Sequence, residues 1–98
     1  MKALTKDEIA GYLALNLKDW TFEGNAIKRD FKIETFVEAF SFMTAIALVL
    51  EKIDHHPDWS NSYNKVSIVL STHSAKGITH HDIDLAEKID GTYKRYAQ

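Results

Sequence analysis

The chain has no cysteine, which removes disulfides, catalytic thiolates and cysteine-based metal sites from any account of what it does. It has one proline in 98 residues, Pro57, so a helix running into that position meets a single definite stop at about His55. Net charge is also scarce. A formal charge of −2, with acidic and basic residues interspersed, offers no footprint for nucleic acid or an anionic membrane, and points instead to a small substrate or a protein partner. Repeats, low-complexity stretches and linkers are missing, so one domain spanning 1–98 is expected, with a modest core drawn from the 45% of residues that are hydrophobic. The opening Met-Lys-Ala-Leu-Thr-Lys-Asp is too charged for a signal peptide, and a cytoplasmic location is the corresponding expectation.

What is present falls into alternating helical and extended segments. Thr5 and Glu8 form a capping-box pattern with Leu4 and Ile9 as a hydrophobic staple, predicting a first helix that ends near Asn16. Trp20–Glu23 and Ala26–Lys32 flank Gly24-Asn25, a two-residue turn suited to a hairpin. Ile27, Phe31 and Ile33 alternate with Lys28, Asp30 and Lys32, and Arg29, which breaks the apolar row, reads as an edge or rim position. From Thr35 to Asp54 the chain is apolar around more than one helical face. Phe36, Phe40, Met43, Ala47 and Leu50 make one stripe, and Phe42, Ile46, Val49 and Ile53 a second about 110° away. The second stripe is expected to be covered by another subunit, because a bare one would be an exposed apolar patch. Asp58–Ser62 and Val66–Thr72 form a second hairpin around Tyr63-Asn64-Lys65, and Thr79 caps a last helix. The expected fold is α+β, of order α-β-β-α-β-β-α, with three helices on one face of a four-stranded antiparallel sheet.

Chemistry concentrates between Glu51 and His73, which holds three of the five histidines. With the turn centred on Asn64, position 58 faces 70, and the continued ladder sets 55 and 56 near 73 and 72, with paired Cα atoms about 5 Å apart. His55, His56 and His73 would then share one site. His55 follows Glu51 by four residues and Asp54 directly, at a helix end whose partial charge favours imidazolium, the form a general acid needs. The pattern does not suit zinc: adjacent histidines in a non-helical junction diverge, and neither H-x3-H nor H-E-x2-H occurs. His80 and His81 read as solvated residues of a first helical turn, and Asp82 as the third helical position of a capping box.

The E-x3-H-H-P run at 51–57, Trp59, the Y-N-K-V turn, Ser71-Thr72-His73 and the Gly77-to-Asp82 segment resemble the pterin-4a-carbinolamine dehydratase family. The similarity extends over roughly residues 20 to 90. It implies loss of the 4a-hydroxyl from a 4a-hydroxytetrahydropterin to give the quinonoid dihydropterin, a step of tetrahydrobiopterin recycling that takes no metal or organic cofactor. Position by position, it implies that His55 and His73 donate protons and that His56 binds and orients the substrate. Asp54, Ser71, Thr72 and Ser74 match the pterin pocket, and Glu51, Trp59 and Asp82 match recurrent positions around it. Ser74 and Ala75 depart from some animal members, which carry glutamate and cysteine there; neither change removes a proposed acid. The second apolar stripe of the central helix leads to the expectation of a homodimer or homotetramer built through that helix. Some animal relatives act as dimerisation cofactors of a homeodomain transcription factor, so a non-enzymic interaction module is the alternative.

Overall fold

A computed structural model of the chain describes residues 2–53, 55 and 57–96; Asp54 and His56 lie outside the described residues. Among the described residues the order is α1 (Lys6–Asn16), β1 (Thr21–Glu23), β2 (Ala26–Lys32), α2 (Phe36–Ile53), β3 (Asp58–Ser62), β4 (Lys65–Leu70) and α3 (His80–Tyr93), with a short 3-10 turn at His73–Ala75. The strands form one antiparallel sheet of order β1-β2-β4-β3. The α-β-β-α-β-β-α arrangement expected from the sequence is the one observed.

Local signals start the elements. Thr5 and Glu8 close the predicted capping box on α1, and the bond from the Thr5 backbone N–H holds the Glu8 carboxyl below its ordinary range. The Thr35 hydroxyl accepts from the Glu38 N–H at 3.1 Å and opens α2. Gly24, at φ 59°, makes the first hairpin turn that a side chain would strain. The described part of α2 runs to Ile53, and His55, about where Pro57 was expected to end it, is not helical.

Alternation in β2 and β4 divides the sheet into two faces. Ile27, Phe31, Val66, Ile68 and Leu70 are fully buried against the helices, while Lys28, Asp30, Lys32 and Lys65 are exposed on the other side. Onto the buried face α2 lays Ala39, Phe42, Ile46 and Leu50, and α3 lays Ile83, Leu85, Ala86 and Ile89. Each large side chain so buried contributes about 1.5 to 3 kcal/mol. Phe31 sits at the centre of the aromatic packing, with ring centroids 4.9 Å from Tyr93, 5.2 Å from Phe42 and 6.0 Å from Trp20.

Three expectations need correction. Arg29 is not at an edge: β2 lies between β1 and β4, and the guanidinium reaches across to α3. Its Nη1 donates to Asp90 Oδ1 at 2.8 Å, and its plane covers Phe31 and Tyr93 at 4.4 and 5.0 Å from the ring centroids. Burial pushes the Asp90 carboxyl up, against hydrogen bonds from Trp20 Nε1 and the Arg29 charge, which act the other way. The two α2 stripes also fail to separate a covered face from a bare one, because Leu50 and half-buried Met43 of the first pack into the core alongside the second. Phe42 and Ile46 are buried and Val49 is half-buried against the domain's own core, leaving only Ile53 of that stripe exposed, at 36%. The bare row is Phe36, Val37, Phe40 and Leu48, exposed by 47, 72, 58 and 66%. Finally, the second hairpin turns on Tyr63-Asn64 alone, since Ser62 pairs with Lys65. Tyr63 takes a positive φ of 53°, and the Asn61 amide donates to the Tyr63 and Lys65 carbonyls across the turn. Asp58 therefore faces Val69, not position 70.

Candidate functional site

A one-residue change of register redirects every side chain beyond it. Continued past Asp58 and Val69, the observed pairing sets position 55 opposite 72 rather than 73. His55 and Thr72 do converge, on a carboxylate that neither strand supplies. Asp82 Oδ1 lies 2.8 Å from His55 Nε2, and Asp82 Oδ2 accepts from the Thr72 hydroxyl at 2.7 Å and from the Thr79 backbone N–H at 2.9 Å. The Thr72 and Thr79 hydroxyls are 2.9 Å apart.

Asp82 arrives there because of how α3 begins. Thr79 is its N-cap, and Asp82, as the third helical residue, returns to the cap's N–H, completing the predicted capping box. A solvated box of this kind stabilises a helix end and does little else. Here Thr79 and Asp82 are both wholly buried, and they are the buried polar side chains among the described residues. A carboxylate without water needs partners for both oxygens. The box supplies one, and Thr72 and His55 supply the others.

The consequence for His55 is chemical. Thr79 N–H and the Thr72 hydroxyl are donors to Asp82, so an ionised Asp82 takes a third donor at Oδ1, and His55 must carry a proton on Nε2. Nδ1 is then the ring nitrogen not engaged by Asp82: a base when the ring is neutral and an acid when it is charged. The imidazole retains 14% of its side-chain exposure, enough for one edge to face outward.

Other expected site residues occupy different surroundings. His73 follows Thr72 and opens the 3-10 turn, exposed, within a loop closed by the Thr72–Gly77 bridge. Ser71 is half-buried and Ser74 exposed. Glu51 is exposed on the last turn of α2, and Trp59 is half-buried against the core from β3. Placement of Asp54 and His56 lies outside the described residues. Among the described residues, no group of three His, Asp or Glu side chains is disposed to hold a metal ion, and no helix is long and apolar enough to cross a membrane.

Sequence reasoning passed over two residues. Thr79 was read only as a cap, although the same hydroxyl sits beside Thr72 in the buried network. His81 was read as solvated; it is exposed, but its ring centroid is 6.1 Å from that of His55. His80, one residue earlier, turns instead to Tyr12 of α1, 5.6 Å away and edge-on.

Comparison with known proteins agrees with this architecture. A Prochlorococcus marinus protein named, provisionally, a pterin-4-alpha-carbinolamine dehydratase is 51% identical over 87 residues, covering 89% of this chain and 90% of its own length. A similarly named Mesorhizobium japonicum protein is 52% identical over 89 residues, with 89 and 90% coverage. The crystal structure of a transcriptional coactivator/pterin dehydratase from Brucella melitensis superposes with a TM-score of 0.89 at 41% identity, covering 93% of this chain and 98% of that one. A pterin dehydratase-like protein identified as a RuBisCO assembly factor in the alpha-carboxysome shares the fold at 16% identity, with a TM-score of 0.63 over 74% of this chain and 84% of its own. Residues 2–92 match the family described as Pterin 4 alpha carbinolamine dehydratase, and the chain belongs to that family.

Proposed function

We propose that the protein dehydrates a 4a-hydroxytetrahydropterin to the quinonoid dihydropterin and water by histidine acid–base catalysis, in tetrahydrobiopterin recycling. The observation that carries this reading is the 2.8 Å contact of His55 Nε2 with Oδ1 of the buried Asp82 carboxylate, whose Oδ2 is held by Thr72 and Thr79. The reaction breaks the C4a–O bond, gives the departing hydroxyl a proton and removes the proton on N5, whose bonding pair becomes the N5=C4a double bond. A histidine held at one nitrogen and working through the other serves such a transfer without redox chemistry. His55 and His73 are the proposed acids, with His56 orienting the ring. Asp54, Ser71, Thr72 and Ser74 are the proposed pterin pocket, with Glu51 and Trp59 beside it and Asp82 positioning His55.

The test is a dehydratase assay on protein stripped with chelator. The expected result is faster loss of the 4a-hydroxypterin absorbance with no added metal. Activity that vanishes with EDTA and returns with zinc would sink the metal-free mechanism.

Assembly and location belong to the same reading: a cytoplasmic homodimer or homotetramer joined through α2. The supporting feature is the bare row of Phe36, Val37, Phe40 and Leu48. Light scattering at micromolar concentration is expected to give a mass above that of the 11.2 kDa chain, and Phe40→Glu with Leu48→Glu to lower it. A wild-type monomer would defeat the proposal. The same row supports a second reading, an interaction module whose apolar helix docks another protein; the Brucella melitensis relative is named a transcriptional coactivator as well as a pterin dehydratase. A folded, oligomeric protein without dehydratase activity would favour it.

A further inference from the structure

We infer that His81 is a further acid–base group of the site, beside the proposed acids His55 and His73, paired with His55 and exchanging one proton with it in each turnover; this rests on the dehydratase reading above. The placement comes from α3. Its capping box fixes the first turn, and consecutive side chains then leave the helix about 100° apart. His80 goes to Tyr12, Asp82 goes inward to Thr72 and Thr79, and His81 goes to His55. One helical turn thus supplies both the carboxylate that holds His55 at Nε2 and an imidazole flanking its ring.

The two rings are tilted by 45° with centroids 6.1 Å apart, and no hydrogen bond joins them among the described residues. Centroids at that separation set the two rings side by side, so a substrate lies across both rather than between them, and a proton passes through one water or a small turn of the exposed His81 ring. The reaction needs two proton transfers at neighbouring atoms, N5 and C4a. If one ring, as imidazolium, protonates the departing hydroxyl, and the other, neutral, takes the N5 proton, C4a–O breaks, N5=C4a forms and water leaves. The pair ends with its protonation states exchanged and its total unchanged. Passage of one proton back between the rings resets it, so no external acid or base is consumed. His55, with 14% of its side chain exposed, exchanges poorly with solvent by itself, whereas His81 is open to it.

The test compares purified wild type with His81→Ala, His81→Gln and, as a control on the same turn, His80→Ala. Both His81 variants are expected to fold normally, because the side chain is exposed, and to lose about 10²-fold in kcat with KM little changed. Imidazole added to the assay is expected to restore rate to His81→Ala in proportion to its concentration, which a merely structural role would not allow. His80→Ala is expected to match wild type. His81→Ala with wild-type kcat overturns the inference, and so does a loss that imidazole leaves untouched. A wild-type protein without dehydratase activity overturns the functional reading itself, and the pairing with it, and is told apart because it appears before any variant is made.

Discussion

Replacing His55 by alanine is expected to lower kcat by about 10²- to 10⁴-fold, the range for loss of a general acid or base, with KM nearly unchanged. A proton donor contributes as the C4a–O bond breaks and adds little to ground-state binding, so its loss falls on kcat. The variant should remain folded. His55 sits between the end of α2 and the start of β3, outside both, and although Asp82 Oδ1 loses its partner, at a cost of about 1 to 3 kcal/mol, Oδ2 keeps its bonds from Thr72 and Thr79. His73→Ala is expected to behave differently, because the 4a carbon is stereogenic and an acid on another side of the ring serves the other epimer. The double variant should lose both routes. Measuring kcat with each epimer decides the matter: folded His55→Ala and His73→Ala proteins that keep wild-type kcat with both would make the histidines binding or structural groups.

The fold was legible in the sequence wherever one local signal decided it. Capping boxes at Thr5 and Thr79, the Gly24-Asn25 turn and the alternation of Val66, Ile68 and Leu70 each have one low-energy solution, and each was found. The errors fell where two solutions were locally equivalent. Both stripes of α2 are apolar, so the 3.6-residue period located apolar positions without saying which of them face the sheet; the rotation of α2 in its tertiary packing buries Leu50 of one stripe with Phe42 and Ile46 of the other and leaves Val37 and Leu48, of neither, bare. The turn at Tyr63 was placed one residue too long because a non-glycine residue at positive φ is uncommon, and composition gives no hint of it.

The site followed the same division. His55 and Asp82 were both singled out, but on separate grounds, since they are 27 positions apart and their contact is tertiary. The register error pointed His55 toward His73, whereas the observed pairing directs it toward Thr72 and, through Thr72, to Asp82. His81 was dismissed because the start of a helix is usually solvated, and exposure turned out to be compatible with lying beside His55. A helix cap that is buried rather than wet was the missing clue, and burial is not a local property.

Asp82 should show the largest combined effect. Alanine there removes the acceptor for the buried Thr79 N–H, one partner of Thr72 and the anchor of His55. An unsatisfied buried donor costs about 1 to 3 kcal/mol, so Asp82→Ala, which orphans the Thr79 N–H while the Thr79 hydroxyl still caps α3, should be destabilised by about that much. In a domain of this length that lowers Tm by on the order of 10 °C. Asparagine separates stability from chemistry. Its carbonyl oxygen can take the Thr79 and Thr72 bonds, which turns the amide N–H2 toward His55 Nε2. The ring must then accept at Nε2 and carry its proton on Nδ1, the reverse of the wild-type tautomer. Asp82→Asn is therefore expected to keep most of the stability lost in Asp82→Ala, yet to drop kcat by about 10²-fold or more, because neutral His55 no longer presents a basic Nδ1. Nitrogen-15 NMR of the imidazoles reads the tautomer without reference to turnover: the neutral ring of His55 should be protonated at Nε2 in wild type and at Nδ1 in Asp82→Asn. Wild-type kcat in a folded Asp82→Asn protein, or an unchanged tautomer, would show that Asp82 caps α3 and does nothing to orient His55.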